Sequence, residues 1–342
     1  YQVISESKDL TFSPRFYSTD KFLFQTEYRQ VTANSSSISD FGIFSEKNEN
    51  SKNHFFYNLD KALDFDYFDE TNLKIKIEKT SNDTYLRAQK IESKIINNYG
   101  ILENSFNLSM NSSDLFVDAN FEIYEDLDKN KSDRYEYILP EITLDKNLYT
   151  DENLGNLGLR SNYKTHNYDT NKLTNFLVND FDFESNDKIL NDAVSNKILV
   201  NFKNINYESK NVDIYKDEFT NEIFGSLGLL SEINFQKIKN NYRHTLKPKM
   251  LLRLAPGSMR QETNSSRITP LKAFSMNRVS NINNYETGTT STIGVDYKIK
   301  KNDDTQFDFS LAQIINEREN KKMSDKSSLN EKLSDLVGSS TY

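Results

Sequence analysis

The chain has 342 residues, 36% of them apolar, a net charge of −8 with scattered Lys and Arg, and no cysteine, which excludes disulfides and thiolate metal sites within it and argues against a nucleic-acid partner. Its 23 Phe and 19 Tyr exclude a disordered chain, because disordered segments are poor in the aromatics that drive burial. No run of ~18 apolar residues exists, which excludes a membrane-spanning helix but not a barrel, whose strands cross with about ten alternating residues each.

A polar chain this rich in aromatics needs elements that are apolar on one face only, and antiparallel strands supply them because successive side chains point to opposite faces. The first strand is expected over residues 10–17, where Leu10, Phe12 and Phe16 alternate with Thr11, Ser13 and Arg15. Phe22, Phe24, Thr26 and Tyr28 then alternate with Leu23, Gln25, Glu27 and Arg29. Residues 58–68 are expected to form a short helix within a connection. Leu73, Ile75 and Ile77 alternate with Lys74, Lys76 and Glu78, and Leu115, Val117, Ala119, Phe121 and Ile123 alternate with Phe116, Asp118, Asn120, Glu122 and Tyr124.

Further strands are expected at 135–144, 157–163, 174–183, 197–207, 246–254, 289–299 and 307–311. Asn/Asp/Ser-rich connectors such as 126–133 and 147–153 carry turn chemistry. Residues 325–336 read as an amphipathic, turn-rich segment with Leu329, Leu333 and Leu336 on one side. The last ten residues do not alternate, so no strand is expected there. The count comes to roughly 14 to 16 strands, many longer than the ~5–6 residues usual in soluble sheets. Same-face acids such as Asp180, Asp182 and Glu184 fit the outer surface of a soluble sandwich or a wet barrel lumen, and periodicity alone allows both.

Tests for chemistry mostly fail. Asp126, Asp128, Asn130 and Asp133 resemble the start of a calcium loop, but Lys131 stands where that loop needs Gly and Tyr137 where it needs Glu. His54, His166 and His244 lie far apart without a second ligand at metal spacing. No phosphate-cradling glycine loop or nucleophile elbow occurs, so no catalytic residue, metal or cofactor is assigned and the chain is not read as an enzyme. Pro14, Pro140 and Pro248 lie within strands, where a missing N–H interrupts a ladder. An edge, bulge or strand start is the simple reading for the last two.

Particular residues resemble a known family. Asp9 to Tyr17 followed by Gln25 to Arg29 is similar to the first barrel hairpin of the LptD family, the lipopolysaccharide-assembly or organic solvent tolerance proteins of the outer membrane. Arg134 to Glu141, Thr245 to Lys249, Phe274 to Arg278, Asn284 to Gly288 and Leu311 to Ile314 continue the likeness in order along essentially the whole chain.

The resemblance implies an all-β fold: an antiparallel transmembrane β-barrel of about 26 strands in the Gram-negative outer membrane, of which this chain is an incomplete part. It implies that residues 1–342 are the N-terminal and central part of one barrel domain, with an upstream periplasmic jelly roll and the last strands lying outside it. The implied partners are lipopolysaccharide, outer-membrane lipid, an LptE lipoprotein plugging the lumen, and the LptA bridge reached through the jelly roll. The implied mechanism is passive conduction, with the sugar head in the polar lumen and the acyl chains leaving at a lateral seam. Pro14 falls where the family's first strand carries a proline beside that seam, and a missing N–H there weakens pairing. Asn277 and Arg278 match a family segment and are expected to be structural, in a loop folded into the lumen. The competing readings are a generic diffusion channel or receptor barrel, and a soluble surface β-rich binding protein.

Overall fold

Alternation sustained over ten or more residues becomes strands of that length. The computed structural model describes residues 1–18, 20–190, 193–239, 241–262, 266–301 and 305–342. Among them lie β1 (Gln2–Ser5), β2 (Lys8–Ser18), β3 (Lys21–Val31), β4 (Ser35–Glu46), β5 (Lys52–Leu63), β6 (Glu70–Thr80), β7 (Ile101–Asn111), β8 (Leu115–Asp126) and β9 (Tyr135–Asp151). There follow β10 (Gly155–Tyr168), β11 (Lys172–Ser185), β12 (Lys188–Leu190), β13 (Val194–Lys210), β14 (Thr220–Ile233), β15 (Phe235–Lys239), β16 (Tyr242–Ala255), β17 (Gly288–Lys301), β18 (Gln306–Asn316) and β19 (Val337–Thr341). The two helices, α1 (Tyr85–Ala88) and α2 (Pro270–Ala273), are single turns within long connections. No helix among the described residues is long and apolar enough to cross a membrane, which says nothing about strands.

The described residues fall into two compact units. The first comprises Tyr1–Asp145, Asn162–Leu177 and Tyr207–Thr220, and the second Lys146–Ser161, Val178–Asn206 and Asn221–Tyr342. In the first, β2 to β8 pair antiparallel in chain order, each with the next. In the second, β14 and β15 both pair with β16, followed by β17, β18 and β19, all antiparallel.

Burial along the strands is inverted relative to a soluble sheet. In the second unit Leu227, Leu229, Leu252, Leu254 and Ile293 are 41–53% exposed. Their alternates Ser226, Leu251, Arg253, Thr290 and Thr292 are buried. Register places Leu227 opposite Leu254 and Leu229 opposite Leu252, so the apolar side chains form continuous rows on the open face. The first unit repeats this: Phe12, Phe24, Phe41, Phe55, Phe106 and Phe121 are exposed, while Leu23, Gln25, Asp40, His54 and Phe56 are buried. Phe12 meets Phe24 at 5.9 Å and Phe106 meets Phe121 at 6.0 Å between ring centroids. Soluble monomers rarely expose contiguous apolar surface on this scale, whereas a membrane barrel requires it.

The covered face is buried by connections that fold back on it. Residues 81–100, between β6 and β7, place Tyr85, Leu86, Ile91 and Ile95 against Leu23, Phe44, Phe56, Leu102 and Leu127. In the second unit, residues 256–287 and 317–336 pack Met259, Ile268, Ala273, Val279, Met323 and Leu329 against Ala312 and Ile314 of β18.

Three expectations are corrected. Residues 58–68 are not helical: Asn58–Leu63 complete β5, because Leu59 is held between Ser37 of β4 and Ile75 of β6. The C-terminal residues do contain a strand, β19, whose weak alternation is overridden by pairing of Val337–Thr341 with Ala312–Asp308. Residues 325–336 are turn-rich, with a 3-10 turn at Lys326–Ser328 and a bridge from Leu333 to Ile315, but the three leucines do not share a side: Leu329 is buried while Leu333 and Leu336 are exposed.

Pro248 has a physical reason for its place. Glu232 pairs with Lys249 and Phe235 with Leu246 in one unbroken register, and the ladder lapses only between them, where Pro248 stands opposite Ile233. A proline N cannot donate, and here its position coincides with the break that separates β14 from β15. Pro140 lies inside β9.

Candidate functional site

Glycines in the left-handed region stand at the two junctions of residues 256–287 with the strands, Gly257 at φ 117° and Gly288, the first residue of β17, at φ 121°, which lets the chain leave and rejoin the strands sharply. Close approach to the wall depends on two further glycines. A Cβ on Gly228 would lie 2.6 Å from Met276 Sδ, and one on Gly294 would lie 2.9 Å from the Phe274 ring. Thr269 caps α2, its hydroxyl accepting from the Lys272 N–H at 3.2 Å, with Pro270 at the first helical position.

Glu286 is the hub of this segment. Its carboxylate accepts from Arg278 Nε at 2.7 Å, from Arg278 Nη2 and from the Arg278 backbone N–H at 3.3 Å. Arg253, reaching from β16 with its side chain fully buried, donates to the carbonyls of Met276 at 2.6 Å and of Glu286. Arg278 also donates to Thr290 Oγ1 at 3.1 Å. Burial alone would raise the Glu286 carboxyl, but the charges of Arg278 and Arg253 and the bonds from Arg278 outweigh it and hold the group below the usual carboxylate value. Lys272 is held below the usual lysine value, first by burial and then by the neighbouring cations Lys203 and Arg278, against the pull of Glu286.

Asn277 completes the turn. Its Oδ1 accepts from the Glu286 N–H at 3.1 Å and its Nδ2 donates to the Asn284 carbonyl at 3.4 Å. Asn277 and Arg278 are thus brought together around Glu286. Lys203 of β13 reaches the Ile282 carbonyl at 2.7 Å and Asp180 at 2.7 Å, and Tyr285 bonds the Ser226 hydroxyl at 2.5 Å. A polar cavity of about 510 Å³ remains between Phe274–Asn277 and wall residues that include Arg160, Asp180, Asp182 and Asn201.

In the first unit His54 is fully buried, bonded to Asp40 Oδ1 at 3.2 Å and to the Tyr85 hydroxyl at 3.1 Å, and stacked on Phe56 at 4.6 Å. The pattern that satisfies all three has Nε2–H donating to the carboxylate and Nδ1 accepting from Tyr85. Gly42, opposite His54, makes the room, since a Cβ there would lie 2.3 Å from the ring. His166 bonds Glu136 at 2.7 Å and His244 bonds the Tyr297 hydroxyl at 2.9 Å. The acids of residues 126–133 are engaged elsewhere: Asp128 receives Arg87, and Asp133 accepts from the Thr170 hydroxyl at 2.6 Å. Among the described residues no group of three His, Asp or Glu side chains is placed to hold a metal.

Pro14 lies in β2 opposite Phe24 of β3. On its other side, among the described residues, β2 pairs with β1 through Lys8, Asp9 and Leu10. The roles of Arg253, Glu286 and His54 were not readable from alternation. The available signals were the glycines at 42, 228 and 294, each set opposite a bulky inward group.

No curated protein matches the sequence. The sequence matches the family described as LptD, LPS transport system D, over residues 52–342. Among solved structures, the outer membrane protein OprD from Pseudomonas aeruginosa is similar over 98% of this chain and 92% of its own, at 9% identity and a TM-score of 0.24. A likeness at that score carries no argument about this chain.

Proposed function

The chain belongs to the LptD family, outer-membrane β-barrel components of lipopolysaccharide transport in Gram-negative cells, and we propose that it forms part of the wall through which lipopolysaccharide reaches the outer leaflet. The saccharide head passes along the polar inner face and the acyl chains leave sideways at a seam beside β2. The step is conduction rather than catalysis, driven from the periplasmic side. In this reading an LptE lipoprotein occupies the lumen, and an LptA bridge delivers lipid to a periplasmic domain outside this chain.

The observation that supports it is the inversion of burial: rows of exposed Phe, Leu and Ile on one face, and a buried face carrying Asp40, His54, Lys203 and Arg253. Only helices and closed barrels satisfy every backbone group in lipid, and the first requirement of such a barrel is an apolar exterior with a polar lumen. Pro14 supports the seam, because it lacks the N–H that would reinforce pairing in a strand whose other side β1 covers, among the described residues, at Lys8, Asp9 and Leu10. Asn277 and Arg278 are read as holding residues 256–287 in the lumen rather than as lipid contacts.

The test is expression of the complete gene in Gram-negative cells depleted of their own LptD. Recovery in the outer membrane with LptE bound and restored surface lipopolysaccharide is expected. Outer-membrane recovery without either indicates a generic channel, and a soluble product overturns the membrane assignment.

A further inference from the structure

The connection 81–100 does more than fill space. Helix α1 ends in a Schellman turn: the Ile91 N–H donates to the Leu86 carbonyl at 3.0 Å, the Lys90 N–H to the Arg87 carbonyl at 3.2 Å, and Lys90 takes φ 47°. Leu86 and Ile91, which flank that turn, are both buried in the same apolar cluster, so the turn is fixed to the wall formed by Leu23, Phe44 and Phe56. The Tyr85 hydroxyl bonds His54 beneath it. A lysine holds a left-handed conformation only where its surroundings determine it.

The consequence is directional. The turn leaves the carbonyls of Gln89 and Lys90 facing β2, where Arg15 Nη1 donates to both, at 3.1 and 3.2 Å. Gln25 of β3 adds a bond to the Glu92 carbonyl at 2.8 Å while also holding Asp40. Arg15 follows Pro14 directly and lies opposite the buried Leu23, so it points to the covered face at the point where the strand lacks a backbone donor.

We propose that residues 81–100 are an internal brace for the seam strand and that Arg15 is the positioning residue through which the brace holds β2 in place. While Arg15 grips the two carbonyls, β2 is restrained from the inside. When it lets go, the strand is free to swing away and open the lateral exit. The inference rests on the seam reading above.

The test uses the full-length protein in cells. Cysteines replace Arg15 and Lys90, in a stretch that has no cysteine of its own, and a short thiol-to-thiol cross-linker bridges them. Loss of surface lipopolysaccharide in the bridged double variant is expected, with heat-modifiable gel mobility unchanged and with both single variants, treated alike, still exporting. In parallel, Arg15→Ala is expected to raise entry of large antibiotics several-fold, and Arg15→Lys to restore the barrier by keeping a donor. Export at the unbridged rate after complete bridging, or an unaltered barrier in Arg15→Ala, overturns the brace. If the wild-type protein itself fails to export lipopolysaccharide, the transport reading fails, and the permeability arm alone decides whether Arg15 closes the wall.

Discussion

Arg278 and Glu286 face each other across a turn of the segment 256–287, the guanidinium donating through Nε and Nη2 to both carboxylate oxygens with neither side chain open to water. Removing one partner of a buried pair leaves the other charge stranded, which costs about 3–5 kcal/mol. Glu286→Gln is therefore expected to undock the segment and expose it to limited proteolysis while the strands stay folded. Equal protease resistance in the variant would contradict the account.

The same pair sets a pH dependence. In the folded protein Glu286 titrates below its ordinary value of 4.5. Its stabilising contribution is thus complete above that value and is lost as pH falls through the lower, folded one. Proteolysis of the segment in detergent should rise only on acidification below the ordinary value, and Glu286→Gln should abolish that rise.

The two wall glycines should differ in their tolerance of a methyl group. At Gly228 an added Cβ meets the flexible end of Met276, whereas at Gly294 it meets the Leu311 carbonyl at 2.5 Å as well as the Phe274 ring. Overpacking typically costs about 1–3 kcal/mol. Gly294→Ala is expected near the upper end and Gly228→Ala near the lower, read from the temperature at which the heat-modifiable gel band shifts. The reverse order would sink the packing argument.

Asp40 and Tyr85 should be coupled through His54. Asp40→Ala leaves the imidazole Nε2–H without its acceptor and removes one of the two acceptors of the Gln25 amide, which keeps the Glu92 carbonyl, while Tyr85→Phe removes a single donor. A buried group left without its partner costs about 1–3 kcal/mol, so Asp40→Ala is expected to be the more damaging change. The double variant should lose less than the sum of the singles. Strict additivity would show that the three residues do not act as one network.

The strands were legible in the sequence because a period of two, sustained over ten residues, is visible without any tertiary knowledge, as in Leu115–Tyr124 within β8. Elements set by pairing were not. Residues 58–63 belong to β5 because both neighbouring strands hold them, and β19 exists because β18 offers an edge. Which face meets lipid was equally hidden, since alternation is the same for a sheet turned either way. It became clear only when segments far apart in the chain were found covering the polar side. The inward pairs obey no short spacing: Arg253 reaches Glu286 across 33 residues and His54 reaches Tyr85 across 31.

The central claim is that the apolar face meets lipid, and spin labels test it most directly. A single cysteine at Leu252, on the open face, and another at Lys247, on the covered face, are labelled one at a time in the full-length protein reconstituted in bilayers. The account predicts that the label at position 252 collides with oxygen dissolved in the hydrocarbon and is shielded from a polar nickel chelate, with the opposite preference at 247. A label at 252 as open to the chelate as the one at 247 would contradict it.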